Sequence, residues 1–124
     1  MRKLAFVALA AVFVVAVATA VTVSTSAITA EETITGMLVE AGCAAMGGAN
    51  PSDEHVACMV KCARNGDPIG ILTDDGLYTI TGNWASENGD TLAELMAKQV
   101  HATGETSTAG GELLLAVSTI EAAN

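Results

Sequence analysis

The stretch PIGILTDDGLYTITG, residues 68 to 82, decides the fold of this chain. It contains two β-rich runs on either side of Asp75-Gly76, a dipeptide that favours a two-residue hairpin turn of type I′. This turn would place Ile71 opposite Ile80. One face of the hairpin would carry its large side chains, which are Ile69, Ile71, Tyr78 and Ile80. The chain is therefore expected to build on a β-hairpin that buries one face.

Three more strands are predicted outside the hairpin. The run TITGMLVEA, residues 33 to 41, precedes it and is rich in residues that favour strands. Two further runs, near residues 99 to 105 and 112 to 120, follow it and are joined by a glycine-rich loop. Together with the hairpin, these runs predict five strands.

Two helices are predicted between the strands. Residues 53 to 64 follow Ser52, a good N-cap, begin with acidic residues, end with basic ones and stop at an Asn-Gly pair. Residues 91 to 98 begin with a capping box formed by Thr91 and Glu94. The first helix would pack on the sheet through its apolar face, which contains Val56, Met59 and Val60.

The two remaining connections are predicted to be loops. Residues 42 to 51 are interrupted by glycines, an asparagine and a proline, which break regular structure. Cys43 lies at the start of this connection. The stretch NWASENG, residues 83 to 89, has the composition of a second loop.

The order of these elements predicts a mainly β fold with two short helices. Three strands, a helix and two strands follow one another as in the OB-fold, a five-stranded barrel, here expected to be antiparallel. The helix at 53 to 64 is then an insertion after the first strand, and the OB-like domain covers residues 33 to 121. An open α+β sheet with both helices on one face is the alternative.

The N-terminal residues are typical of an export signal. Residues 1 to 20 have a basic start, an apolar run and Ala18-Thr19-Ala20, a small-residue cleavage site, although cleavage as late as residue 30 also fits. Residues 21 to 32 are then a linker. The expected location is periplasmic or secreted, with a membrane anchor only if the segment stays uncleaved.

Charge and motif content narrow the possible functions. The chain has a net charge of −9, and removing residues 1 to 20 takes away two of its five basic side chains and none of its 14 acidic ones, which leaves −11. Such a charge repels nucleic acid, and no basic patch compensates for it. The sequence shows neither a nucleophile motif nor a phosphate-binding or dinucleotide-binding loop, so we expect no enzymatic activity.

The stretch from residue 55 to 66, HVACMVKCARNG, carries the residues most suited to chemistry. With Cys43 it supplies three thiols and an imidazole, a ligand complement that structural zinc sites use. The predicted metal ligands are Cys43, His55, Cys58 and Cys62. Met59 would extend the set toward copper(I), which soft sulfur ligands select. Because His55 and Cys62 are about 10.5 Å apart along a helix, a solvent ligand in place of His55 gives an easier geometry.

The same cysteines also permit two other interpretations. A disulfide from Cys43 to Cys58 or Cys62 would staple an OB-like domain that binds a protein partner, and would stabilise it by about 3 kcal/mol. A thiol-disulfide redox protein is the third hypothesis, although the C-x₃-C spacing differs from the usual C-x-x-C. His101 has no partner near it in the sequence and is expected to lie on a solvent face, and Met59 and Met96 are expected in the core.

Four motifs resemble those of a largely uncharacterised family of short exported bacterial proteins. They are G-x-L-V-x-x-x-C from Gly36 to Cys43, H-x-x-C-x-x-x-C-A from His55 to Ala63, G-I-L-T-x-D-G-x-Y from Gly70 to Tyr78, and V-x-x-T-G from Val100 to Gly104. The last two strands are also loosely similar to bacterial exported OB-fold domains. The resemblance implies a fold and a location, and it implies no activity.

Overall fold

A computed structural model describes residues 30–48 and 50–124 of the chain. The proposed signal peptide and nearly all of the proposed linker lie outside these residues. The strands are β1 (Glu31–Glu40), β2 (Ile69–Thr73), β3 (Gly76–Thr81), β4 (Gln99–Ala109) and β5 (Glu112–Ala122). The helices are α1 (Ala41–Gly47), α2 (Asp53–Arg64), α3 (Trp84–Glu87) and α4 (Gly89–Leu95).

The five strands close into a barrel in the order β1-β2-β3-β5-β4, with β4 pairing back onto β1. This confirms the predicted mainly β, OB-like barrel and excludes the open sheet. The expectation that every pair is antiparallel was wrong at one place, because β3 and β5 run parallel. A closed ring with an odd number of strands cannot alternate direction throughout, so at least one of its pairs has to be parallel.

The β2–β3 hairpin has the predicted face but a different register. Ile71 pairs with Tyr78, not Ile80, because the two turn residues are Asp74 and Asp75. A type I′ turn needs positive φ at both central residues, and among the described residues only Ala97 has positive φ without being glycine. The Thr73 hydroxyl stabilises the shifted turn by accepting from the Asp75 amide and donating to the Gly76 carbonyl. A shift of two positions keeps the alternation, so the predicted apolar face still points into the core.

Strands β4 and β5 form a long hairpin that completes the barrel. Their turn consists of Gly110 and Gly111, with φ of 60° and 87°, the positive values that a type I′ turn requires. Both strands extend beyond the predicted bounds. The register shifts between Thr103 and Gly104, which marks a β-bulge.

The barrel interior is one apolar cluster, and a second cluster lies beneath the helices. The first consists of Leu38, Ile69, Ile71, Ile80, Leu92, Val100, Ala102 and Leu115. The second consists of Met37, Val39, Cys43, Met59 and Met96, with Val56 and Val60 packed against it. The predicted packing face of α2 and the core positions of Met59 and Met96 are therefore confirmed.

Helix α2 has the predicted bounds, and the Ser52 side chain caps it by accepting from the His55 amide at 3.3 Å. Three other expectations for the connections were wrong. Residues 41–47 form α1 where a loop was expected, and residues 84–87 of the second predicted loop form α3. Helix α4 begins at Gly89 and ends at Leu95, so Thr91 lies inside it and makes no cap. It ends early because Ala97 adopts a φ of 63° and donates its amide to the Leu38 carbonyl.

The described helices include none that is both long enough and apolar enough to cross a membrane.

Candidate metal centre

Two helices bring the three cysteines together. Cys43 is in the first turn of α1 and is buried, with 5% of its surface exposed. Cys58 and Cys62 are one turn apart on α2, where Cys58 is exposed and Cys62 is half-buried. The site therefore extends from the second apolar cluster to the protein surface.

The three Sγ atoms all lie within 4.8 Å of one another, and all three cysteines are free thiols. Sulfur atoms around one tetrahedral zinc are about 3.8 Å apart, from a Zn–S bond of about 2.3 Å. Small side-chain rotations can close this difference. Three cysteines in this arrangement can hold a metal ion.

Glu40 is a buried carboxylate at the base of the site, and sequence reasoning did not identify it. It is only 4% exposed, and its oxygens accept from the amides of Gly42 at 2.8 Å and Cys43 at 2.7 Å. Burial raises the pKa of Glu40, but hydrogen bonds from the Cys43 thiol and from these two amides outweigh it and lower the pKa overall. Glu40 thus caps α1 and holds Cys43 in place.

The surroundings of Cys43 and Cys62 favour the protonated form of these two thiols by raising the pKa of each. The hydrogen bond to the Glu40 carboxylate, followed by burial and the nearby charge, raises the pKa of Cys43 to about 12. Burial, followed by the charge on Cys58, raises the pKa of Cys62. A metal ion that binds these sulfurs must therefore displace protons, so we expect binding to weaken as the pH falls.

His55 lies beside the three thiols and is not a member of the group. Its Nε2 lies 3.0 Å from the carbonyl oxygen of Cys43. Because a carbonyl only accepts, Nε2 is the donor, and in the neutral ring Nδ1 keeps the lone pair. Gly47 packs so closely on the imidazole that a Cβ there would overlap the ring. In the described geometry His55 joins α2 to α1 and does not converge with the sulfurs.

Three further side chains that could contact a ligand, His101, Tyr78 and Trp84, have partners of their own. His101 pairs across the sheet, where its Nδ1 lies 2.8 Å from the Thr35 hydroxyl on the neighbouring strand β1. Tyr78 and Trp84 are half-buried and pack against the barrel core. None of these three residues belongs to the thiol group.

Comparison of the chain with protein-family models, with curated proteins and with solved structures gives no match. The resemblance to short exported bacterial proteins therefore stays a prediction.

Proposed function

We propose that this protein is an exported, non-enzymatic binding module that holds a soft metal ion, zinc or copper. The observation that carries the proposal is the convergence of Cys43, Cys58 and Cys62 within 4.8 Å. Thiolates are the ligands that zinc and copper(I) share. Of the three hypotheses from the sequence, metal binding is the one that uses every cysteine.

A binding role without catalysis fits the surroundings of the thiols. Glu40 is the carboxylate that accepts from the Cys43 thiol, and both its oxygens are engaged by amides. A general acid or base needs a group free to exchange a proton with a substrate. Export is proposed from the N-terminal sequence, and it would place the protein in the periplasm or outside the cell.

His55 is the remaining member of the predicted ligand set. To bind an ion through Nδ1, its ring would have to move toward the sulfurs, and the hydrogen bond to the Cys43 carbonyl opposes that movement. We therefore propose a three-thiolate site in which His55 supports α1. Substitution of His55 distinguishes a role in supporting α1 from a role as a metal ligand.

The proposal is tested by measuring metal bound per chain after anaerobic loading of the reduced protein and removal of free ion. We expect about one zinc or copper per chain, little or none in Cys58→Ser or Cys62→Ser, and no change in the matched imidazole control His101→Ala. His55→Ala should still bind one ion if its role is support. Absence of bound metal in the folded wild-type protein would contradict the proposal.

The alternative of a disulfide-stapled interaction domain uses the same proximity. A bond from Cys43 to Cys58 or Cys62 requires the two sulfurs to approach from within 4.8 Å to about 2.05 Å. It would leave one thiol without a role. A protein partner, if this alternative holds, would bind the acidic surface of the domain through strand edges or loops.

A further inference from the structure

We infer that the ion is copper(I), bound in a three-coordinate site whose only ligands are the sulfurs of Cys43, Cys58 and Cys62. This inference rests on the proposed function and specifies the ion. Its basis is the set of ligand atoms that converge at the site, which within the described residues consists of the three thiol sulfurs without a histidine or carboxylate.

Glu40 supplies the carboxylate that accepts from the Cys43 thiol. Its Oε1 accepts from the Gly42 amide and its Oε2 accepts from the Cys43 amide, within a residue that is 4% exposed. Turning the carboxylate toward an ion would leave the amides of Gly42 and Cys43 without their acceptor, and the Cys43 amide is buried. Glu40 is therefore unsuited to be the fourth ligand.

The nearest nitrogen ligand belongs to His55, and its Nε2 is held by the Cys43 carbonyl. Within the described residues, the three cysteines form the group of side chains whose ligand atoms converge, and no histidine or carboxylate joins them. Within the described residues, the protein thus offers three sulfur ligands and neither a histidine nitrogen nor a carboxylate oxygen as a fourth.

The buried side of the site is apolar and rich in thioethers. Cys43 shares its cluster with Met37, Val39, Met59 and Met96. This wall adds no polar side chain to Glu40, whose two oxygens already accept from amides, so a water molecule finds no anchor there as a fourth ligand. A solvent ligand can approach only from the side of Cys58, which is exposed.

These features distinguish between the two ions. Structural zinc is almost always bound by four ligands in a tetrahedron, so a three-sulfur site satisfies it incompletely. Copper(I) is a softer ion that prefers sulfur ligands, and two or three thiolates are sufficient to coordinate it. Three thiolates around one copper(I) ion carry excess negative charge. Water can screen this charge at Cys58, because that residue is exposed.

The experiment compares the two ions on the full exported protein under anaerobic conditions. Copper(I) is titrated in competition with bathocuproine disulfonate, and zinc in competition with a chromophoric zinc chelator. We expect copper(I) to bind on the order of a hundredfold or more tightly than zinc. X-ray absorption of the copper-loaded protein should show three sulfur neighbours and no nitrogen or oxygen neighbour.

Matched variants identify the ligands. Cys58→Ser should lower the copper(I) affinity at least about tenfold and reduce the number of sulfur neighbours, because one thiolate is lost. Met59→Leu, which nearly conserves volume in the core, should leave both the affinity and the three-sulfur spectrum unchanged. A loss of one sulfur neighbour in Met59→Leu would overturn the all-cysteine ligand set.

Two results would overturn the inference in different ways. Tighter binding of zinc, with a nitrogen or oxygen as a fourth neighbour, would refute the copper(I) assignment and leave the proposed metal-binding function standing. Failure to bind either ion in the folded, reduced protein would refute both. Circular dichroism of each sample establishes that the protein is folded.

Discussion

Glu40→Ala is expected to lower the free energy of unfolding of the reduced, metal-free protein by about 2–4 kcal/mol. The substitution leaves the amides of Gly42 and Cys43 without their acceptor at a position that is 4% exposed. It also removes the carboxylate that accepts from the Cys43 thiol. Urea denaturation followed by circular dichroism measures the change, and metal binding should weaken in parallel because Cys43 loses its support.

Glu94→Ala is the matched control for this substitution. Glu94 is an exposed glutamate on α4, so its removal should change the free energy of unfolding by no more than about 0.5 kcal/mol. The free energy of unfolding of Glu40→Gln should lie between those of the two alanine variants, because the glutamine amide keeps one oxygen that can accept a hydrogen bond. Equal stability of Glu40→Ala and Glu94→Ala would show that the carboxylate does not hold α1 in place.

Gly104→Ala is expected to destabilise the barrel by about 3 kcal/mol. Gly104 is buried at the β-bulge of β4, and a Cβ there would overlap the Ala116 carbonyl oxygen and lie 2.8 Å from the Val117 Cα. These are backbone atoms of β5, which cannot rotate away as a side chain can. Strand β5 would have to separate from β4, and thermal or urea denaturation should report the loss.

Gly89→Ala is the matched control for the stability of Gly104→Ala. Gly89 begins α4, its φ is not positive, and a Cβ added there would meet no atom within 4 Å. Alanine favours helix over glycine by up to about 1 kcal/mol, so this variant should be unchanged or slightly more stable. Similar losses in Gly89→Ala and Gly104→Ala would contradict the account of the bulge.

Local signals in the sequence were sufficient to predict much of the fold. Helix α2 was predicted with its observed bounds because its cap, terminal charges and stop are all encoded within residues 52 to 66. The apolar face of the β2–β3 hairpin was predicted because alternation survives a shift of two positions. The exact turn was not predicted, because the Thr73 side chain stabilises a turn at Asp74-Asp75, which needs no glycine at its centre.

Helix α1 could not be predicted from the same kind of signal. Its residues are mostly small and include glycines, and its cap is a glutamate, which is not among the residues that usually cap helices. The sequence feature that indicated α1 was a lone charged residue, Glu40, at the end of an otherwise apolar run in β1. Such a charge in a buried position has to find partners, and here the partners are the first amides of α1.

The site was only partly predictable for a related reason. The spacing of Cys58 and Cys62 on one helix places them together, but the approach of Cys43 depends on how α1 packs against α2. That packing is made through the Met59 cluster and the bond from His55 to the Cys43 carbonyl, both of which are tertiary contacts. The sequence suggested His55 as a ligand, and that stays a prediction; in the described geometry its Nε2 joins the two helices through the Cys43 carbonyl.

The central claim is that the three thiols together hold a metal ion, and counting alkylatable thiols in protein recovered from an exporting cell tests it most directly. Mass spectrometry after iodoacetamide treatment should find Cys43, Cys58 and Cys62 all protected, and all three should become reactive when a chelator is added. In the chelated protein Cys58 should react before Cys43, since Cys58 is exposed and the pKa of Cys43 is raised to about 12. A bond from Cys43 to Cys58 or Cys62, with one thiol reactive before chelation, would contradict the claim.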